Sequence, residues 1–347
     1  MPQKVRLERT PMSRIIYLCP ADEKPTGGVK VIYRHAELLA ALDADAYVLH
    51  PFDFEFTCRW FSHRARMRRR LELDSQVDFV IIPELWAGVF GPQCIEQGVR
   101  YAIFVQNGYL AHPVLPQHSP ELFAQVYRCA DLVLSISDDS SRMTALSYPQ
   151  MDPARLLRVR YSVPECFRAP PGAERTRSIT YMPRKLGYHA RLVAFALRQH
   201  LPEAWEIVPI DGMDEAAVAR TLAASRIFLS FSEFEGLPLP PLEAALAGNL
   251  VIGYTGQGAR EYWDAPNFQE IHQGDIQTFV GAAVAAARRF DAGEMRAEHL
   301  APVIASLADR FSLASESANL QALLGRIDRC FLEPPASALP TIQAAAA

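Results

Sequence analysis

Ser230-Phe231-Ser232-Glu233-Phe234-Glu235-Gly236-Leu237-Pro238-Leu239-Pro240-Pro241-Leu242-Glu243-Ala244-Ala245-Leu246-Ala247-Gly248-Asn249-Leu250-Val251-Ile252-Gly253 is the stretch on which the fold turns. An apolar run at 227–231 and another at 250–254 have the length of buried strands, and the residues between them have room for a loop and one short helix. Pro240 and Pro241 suit a helix entrance, where a missing N–H costs nothing, and Gly248 suits its C-terminal cap. Strand, loop, helix, strand is the unit of a parallel sheet. In such a sheet the loop leaving a strand's carboxyl end binds ligands, which puts residues 233–239 at the binding edge. Glu235 ends the strand and Glu243 is expected in the helix's first turn, beside Leu242 and Leu246, so that both carboxylates face one cleft. Free amides at that helix start are suited to a phosphate or carboxylate.

The same alternation extends in both directions. Strands are expected at 14–19, 46–49, 79–82, 101–105 and 132–136, then at 178–182, 206–208, 227–231 and 250–254. Helices are expected at 30–42, where Val29, Ile32, Ala36 and Leu39 recur at helical spacing, at 86–97 and 120–130, and later at 190–200, 214–224 and 276–289. The pattern breaks around Pro164, Pro170, Pro171 and Gly172, which reads as a linker. The organisation is therefore α/β, with two doubly wound, Rossmann-like domains facing a central cleft. The first covers residues 13–165, a linker 166–177, and the second 178–312. An amphipathic helix at 313–332 and a Pro- and Ala-rich tail at 333–347 with no reason to fold complete the chain.

At 347 residues the chain suits two α/β cores, and its net charge of -4 lacks the basicity of a dedicated nucleic-acid binder. Cys19, Cys58, Cys94, Cys129, Cys166 and Cys330 include no C-x-x-C pair and read as reduced cysteines of a reducing compartment. The polar first residues and the short apolar run at 15–19 show no targeting segment. No stretch approaches the roughly 18 apolar residues of a membrane span. A cytoplasmic location follows, with any membrane contact peripheral, at the inner face.

Glu235-Gly236-Leu237-Pro238-Leu239-Pro240-Pro241-Leu242-Glu243-Ala244-Ala245-Leu246-Ala247-Gly248 resembles the E-x7-E segment of the retaining GT-B glycosyltransferases of the family-4 type. The resemblance implies that Glu235 contacts the donor sugar's hydroxyls and Glu243 the ribose hydroxyls, with Gly236, Leu237, Pro238 and Leu239 lining the donor site. It makes Thr26-Gly27-Gly28-Val29, which follows the first strand, the loop that approaches the donor phosphate, where glycine lets backbone come close. G-x-G-x-x-G is absent, so this is not a dinucleotide fingerprint. Tyr181-Met182-Pro183-Arg184-Lys185 looks like the family's basic site for the donor diphosphate. A leaving diphosphate gains negative charge, which a fixed Arg and Lys would stabilise in the transition state.

Two departures stand out. Many relatives separate the Arg and Lys, whereas here they are adjacent, and neighbours on a strand point to opposite faces. Gln106 and Asn107 occupy the place where many relatives carry His-Asp at a strand end; they can hydrogen-bond a sugar hydroxyl but cannot shuttle a proton. Ser137 ends the next strand, as a sugar or acceptor contact or, by the stronger reading, as a plain N-cap.

His112 and His118 lack a completing Cys, Asp or Glu, and Asp43 and Asp45 read as a solvated turn, so no metal site is expected. No cofactor is expected beyond the nucleotide-sugar donor substrate. The run from Arg59 through Trp60, Phe61, His63, Arg64, Arg66, Met67, Arg68 and Arg69 to Arg70 has two readings: a solvated helix face, or a basic patch meeting anionic membrane or a phosphorylated acceptor. The activity implied is metal-independent transfer of a sugar to a hydroxyl of a glycan, lipid-linked or small-molecule acceptor, as in building cell-surface polysaccharide. A nucleotide-sugar epimerase and a non-catalytic nucleotide- or sugar-binding module are the alternatives.

Overall fold

The computed structural model describes residues 13–113, 119–169 and 172–334. Residues 1–12, His118, Pro170, Pro171 and the tail from residue 335 lie outside the described residues. The first half folds as β1 (Arg14–Leu18), α1 (Gly27–Ala41), β2 (Asp45–Leu49), β3 (Met67–Arg68), β4 (Asp78–Pro83), α2 (Ala87–Gln97), β5 (Arg100–Val105), α3 (Pro120–Cys129), β6 (Leu132–Ser135), α4 (Asp138–Ser147) and β7 (Leu156–Arg158). The second half continues as β8 (Ser178–Tyr181), α5 (Gly187–Leu197), β9 (Glu206–Pro209), α6 (Glu215–Ala224), β10 (Ile227–Glu235), α7 (Leu239–Leu246), β11 (Leu250–Gln257), β12 (Phe268–Glu270), α8 (Ile276–Asp291), α9 (Ala297–Arg310) and α10 (Leu313–Cys330).

Two parallel sheets result. One runs β3-β2-β1-β4-β5-β6-β7 and the other β12-β11-β10-β8-β9. Strands β4 and β5 are buried along their whole length, as expected of a sheet covered by helices on both faces. Each sheet reverses its winding once, between β1 and β4 in the first and between β8 and β10 in the second. Ligand crevices form at such switch points, outside the carboxyl ends of the strands. Every candidate segment of the donor site follows one of these strands or its neighbour: Gly27 and Gly28 follow β1, Gln106 and Asn107 follow β5, Arg184 and Lys185 follow β8, and Glu235 ends β10.

Helix α10 does not stay with the second sheet. Its Leu320, Leu323, Leu324 and Ile327 share one core with Ile15, Tyr17, Phe79 and Val31 of the first domain. Ser13 Oγ donates to Asp328 Oδ1 at 3.3 Å, and Arg34 Nε on α1 donates to Glu316 Oε2 at 2.7 Å. The chain therefore crosses back, and the last helix covers a face of the first sheet beside α1. Edge strands β3, β7 and β12 and helix α9 carry no clear signal in the sequence pattern. Strands of two or three residues are defined by their neighbours more than by any periodicity, and Pro302 interrupts the pattern inside α9.

The basic run at 59–70 corrects the sequence reading, because it forms no helix. It is an extended segment whose Met67 and Arg68 pair with Val48 and Leu49 as an edge strand. Trp60, Phe61 and Met67 turn inward onto the core. Arg66 meets Asp45 at 3.2 Å and the Ala44 carbonyl at 2.8 Å. Arg68 faces Asp78 at 3.6 Å, and Arg69 donates to the carbonyls of Phe54 and Phe56 and to Thr57 Oγ1 at 2.6, 3.0 and 2.9 Å. These guanidiniums fasten the 51–57 loop and the sheet edge to one another. Among the described residues no helix is long and apolar enough to cross a membrane. All six cysteines are free thiols.

Candidate active site

The end of β10 aims Glu235. Pairing with β11 shifts register between Ser232 and Glu235, and Phe234 in between adopts a left-handed φ of 46°. A bulge of this kind re-aims the side chains that follow it, and strain of this kind clusters at functional sites. Glu235 Oε1 then lies 2.7 Å from Lys185 Nζ. Lys185 reaches it because β8 ends at Tyr181 and the chain turns through 182–186 before α5; Leu186, also left-handed at φ 42°, closes that turn. Arg184 goes elsewhere: its Nη1 donates to the Pro25 carbonyl at 3.0 Å, in the loop before α1. The adjacent Arg and Lys do diverge as expected, but from a turn and not from a strand.

Glu243 sits one turn deeper in α7 than expected, in its fifth position, and is only 8 % exposed. Burial pushes its carboxyl up to about 7, against the pull of the Lys30 ammonium. Lys30, on α1, is itself lowered by burial and raised by Glu243, and it forms an ion pair with Glu215 at the start of α6. One lysine of the first domain thus spans to two acids of the second. Tyr262, buried in the field of Glu235, Glu261 and Glu243, donates its hydroxyl to the Pro238 carbonyl and holds the entrance of α7.

That entrance corrects a second expectation. Of its first four positions Pro238, Pro240 and Pro241 have no N–H, leaving the Leu239 amide alone, so α7 is a poor anion cradle. Helix α1 begins at Gly27, earlier than expected, so Gly27, Gly28 and Val29 fall in its first turn with amides free to meet an anion. A Cβ on Gly27 would touch Leu239 Cδ1 at 3.6 Å. The glycine loop and α7 therefore face each other.

Gln106 and Asn107 lie at the centre of this meeting. Gln106 Nε2 donates to the Gly28 carbonyl at 3.3 Å, and Asn107 Nδ2 donates to the Phe234 carbonyl at 2.9 Å. Gly236 crosses so close to them that a Cβ there would come within 2.0 Å of the Gln106 carbonyl oxygen and 2.9 Å of Asn107 Cα. Only glycine fits that approach. Beneath them Glu84, which no sequence pattern singled out, accepts the backbone N–H groups of Gln106 at 3.3 Å and Asn107 at 3.0 Å. Glu84 is 4 % exposed, and burial raises its carboxyl to about 7. Its one sequence signal is its place directly after strand β4, at the binding edge.

Ser137 is not part of this group. It is fully buried and caps α4, accepting the Ser140 N–H at 2.9 Å, so the capping reading holds. Leu237 is buried near α7. A further bridge joins the domains farther along the sheets, where Glu261 Oε2 accepts the Asp138 N–H at 2.8 Å and Glu261 pairs with Arg158 at 2.5 Å. Among the described residues no three His, Cys, Asp or Glu side chains are grouped to hold a metal.

Two Rossmann-like domains whose parallel sheets face each other across one cleft, with the last helix returning to the first domain, define the GT-B fold. Solved glycosyltransferase structures share it across nearly the whole chain. The Anabaena protein Alr3699/HepE in complex with UDP-glucose aligns over 90% of this chain and 99% of its own, with a TM-score of 0.68 at 12% identity. A glycosyltransferase from Rickettsia africae aligns over 91% and 99% with a TM-score of 0.65 at 12% identity. Sucrose-phosphate synthase from Thermosynechococcus elongatus aligns over 92% and 100% with a TM-score of 0.64 at 12% identity. No protein-family profile and no curated protein sequence matches the chain.

Proposed function

We propose that this chain is a retaining glycosyltransferase that moves a sugar from a nucleoside-diphosphate sugar to a hydroxyl of a glycan, lipid-linked or small-molecule acceptor, without a metal ion. The observation that supports it most is the convergence of Lys185, Glu235, Glu243 and the Gly27-Gly28 turn at the facing switch points of two sheets. Each has a role in such a transfer. The α1 amides and Lys185 receive the diphosphate, whose growing negative charge in an oxocarbenium-like transition state they stabilise. Glu235 holds donor sugar hydroxyls, and Glu243 accepts from the ribose. Gln106 and Asn107 close the acceptor side over the donor and exclude water, a competing acceptor. The solved structures of Alr3699/HepE hold UDP, or UDP-glucose, which makes uridine donors the first to try.

A non-catalytic nucleotide-binding module is the second reading, favoured by Arg184, Gln106 and Asn107 each being spent on contacts between the domains. Incubation with UDP-, GDP-, dTDP- and ADP-sugars, with and without extract-derived acceptor and with EDTA throughout, separates the readings. Acceptor-dependent release of nucleoside diphosphate supports transfer. Epimerised sugar from donor alone would indicate an epimerase, and tight binding without turnover a binding module.

A further inference from the structure

Helix α5 is apolar on two opposite sides. Ala190, Val193, Ala194 and Leu197 bury one side in the core of the second domain. Tyr188, Leu192 and Phe195, spaced four and three residues apart, form a stripe on the other, and they are 70 %, 37 % and 63 % exposed. At 100° per residue the three side chains fall within roughly 60° of one another, on the side away from the core. A helix apolar on both sides is normally covered on both. No element of the described chain covers this one, whose outer residues stand in solvent.

Charge identifies what covers it. Arg191 and Arg198, both exposed, lie along one flank of the stripe. Along α5 and its C-terminal cap, residues 187–198, Arg191 and Arg198 are the only Asp, Glu, Lys or Arg side chains, so the helix carries two positive charges and no acid. A protein partner would need its own acidic rim to match this flank. An anionic lipid surface supplies negative charge and an apolar layer together. Helices of this composition lie in the interface plane with the apolar face between the headgroups, where Tyr is favoured.

The geometry points to α5 as the surface by which the chain docks onto an anionic membrane, in place of the basic run at 59–70. It begins two residues beyond Lys185, so docking there sets the mouth of the cleft beside the bilayer.

Cosedimentation of the full-length protein with phosphatidylcholine vesicles, with and without phosphatidylglycerol, tests this without donor or acceptor, and so independently of the enzymatic reading. The expected result is binding to the phosphatidylglycerol vesicles that weakens with salt, since surface charge is screened over about 8 Å at physiological ionic strength. Each arginine near an anionic surface strengthens partitioning roughly fivefold, so Arg191→Gln with Arg198→Gln should weaken it about thirtyfold. Leu192→Glu with Phe195→Glu should abolish it. Circular dichroism melting keeps these surface variants honest as folded proteins. Absent binding by the wild type at low salt, or unchanged binding by the folded Glu variant, overturns the proposal. So does light scattering that shows a dimer which the Glu variant makes monomeric while vesicle binding stays the same, since the stripe would then be covered by a second copy.

Discussion

Lys185 Nζ and Glu235 Oε1 are 2.7 Å apart, and this pair ties the cation that follows β8 to the acid that ends β10. Its neighbour Arg184 instead fastens the second domain to the loop before α1. The two basic residues should therefore fail differently. On the proposed function, in which Lys185 meets the diphosphate, Lys185→Met should lower kcat by about 10²–10³-fold, the scale of losing one preorganised donor. Arg184→Met should chiefly raise KM for the donor, because closure is weakened. Steady-state kinetics on both variants check this, and equal losses in kcat would contradict the division of labour.

Gly236→Ala should disable the site while leaving the domains folded. The new methyl would lie 2.0 Å from the Gln106 carbonyl, which only a retreat of one domain edge relieves. Overpacking of this kind costs about 1–3 kcal/mol. Small-angle scattering should show a more open chain, and turnover should fall far more than the melting temperature. A variant with wild-type turnover would mean that the close approach plays no part in the reaction.

Binding of free nucleotide should depend on pH through Glu243. In the proposed role the ionised carboxylate accepts from ribose hydroxyls, and the protonated form offers one acceptor fewer. With its carboxyl at about 7, affinity should rise between pH 6 and 8. Glu243→Gln should bind roughly tenfold more weakly at pH 8 and lose the dependence, since hydrogen bonds to charged groups exceed neutral ones. Lys30→Met removes the cation that opposes burial and should move the midpoint higher. Calorimetric titration at several pH values reads both, and a flat wild-type profile would remove Glu243 from the ribose.

Glu84 makes a stability prediction with a definite sign. Burial raises its folded carboxyl to about 7 from an ordinary value near 4.5. A raised carboxyl favours folding in its protonated form, so its contribution is complete below pH 4.5 and is lost as pH rises through 7. Glu84→Gln should flatten that decline, leaving the variant about 2 kcal/mol less pH-sensitive over the interval. Urea melts at pH 5 and pH 8 measure the difference, and identical slopes in both proteins would show that Glu84 ionises freely.

Arg69→Gln should lower the melting temperature by about 2 °C without altering lipid binding. Its three bonds fasten the 51–57 loop, and a sequence reading of that run as a membrane patch forecasts the reverse pattern. Thermal melts and the same vesicle assay distinguish the two.

Much of the fold was legible because the signals that write it are local. Buried parallel strands announce themselves as short apolar runs, and α1 and α8 as apolar residues at helical spacing, so the central strands of both sheets are written in the sequence pattern. The E-x7-E stretch at 235–243 likewise placed Glu235 at a strand end and Glu243 on the following helix.

What only the tertiary structure decided was the choice of partners. Nothing within a few residues of Lys185 says that it meets Glu235 while Arg184 meets Pro25, or that Lys30 reaches Glu215 and Glu243 from the opposite domain. The arginines at 66, 68 and 69 looked free because their carbonyl and carboxylate acceptors lie in segments close only after folding. Glu84 and the return of α10 to the first domain were hidden for the same reason. Periodicity is a property of neighbours along the chain and survives in the sequence, whereas the pairing of charges and the burial that moves their protons depend on which distant surfaces come together.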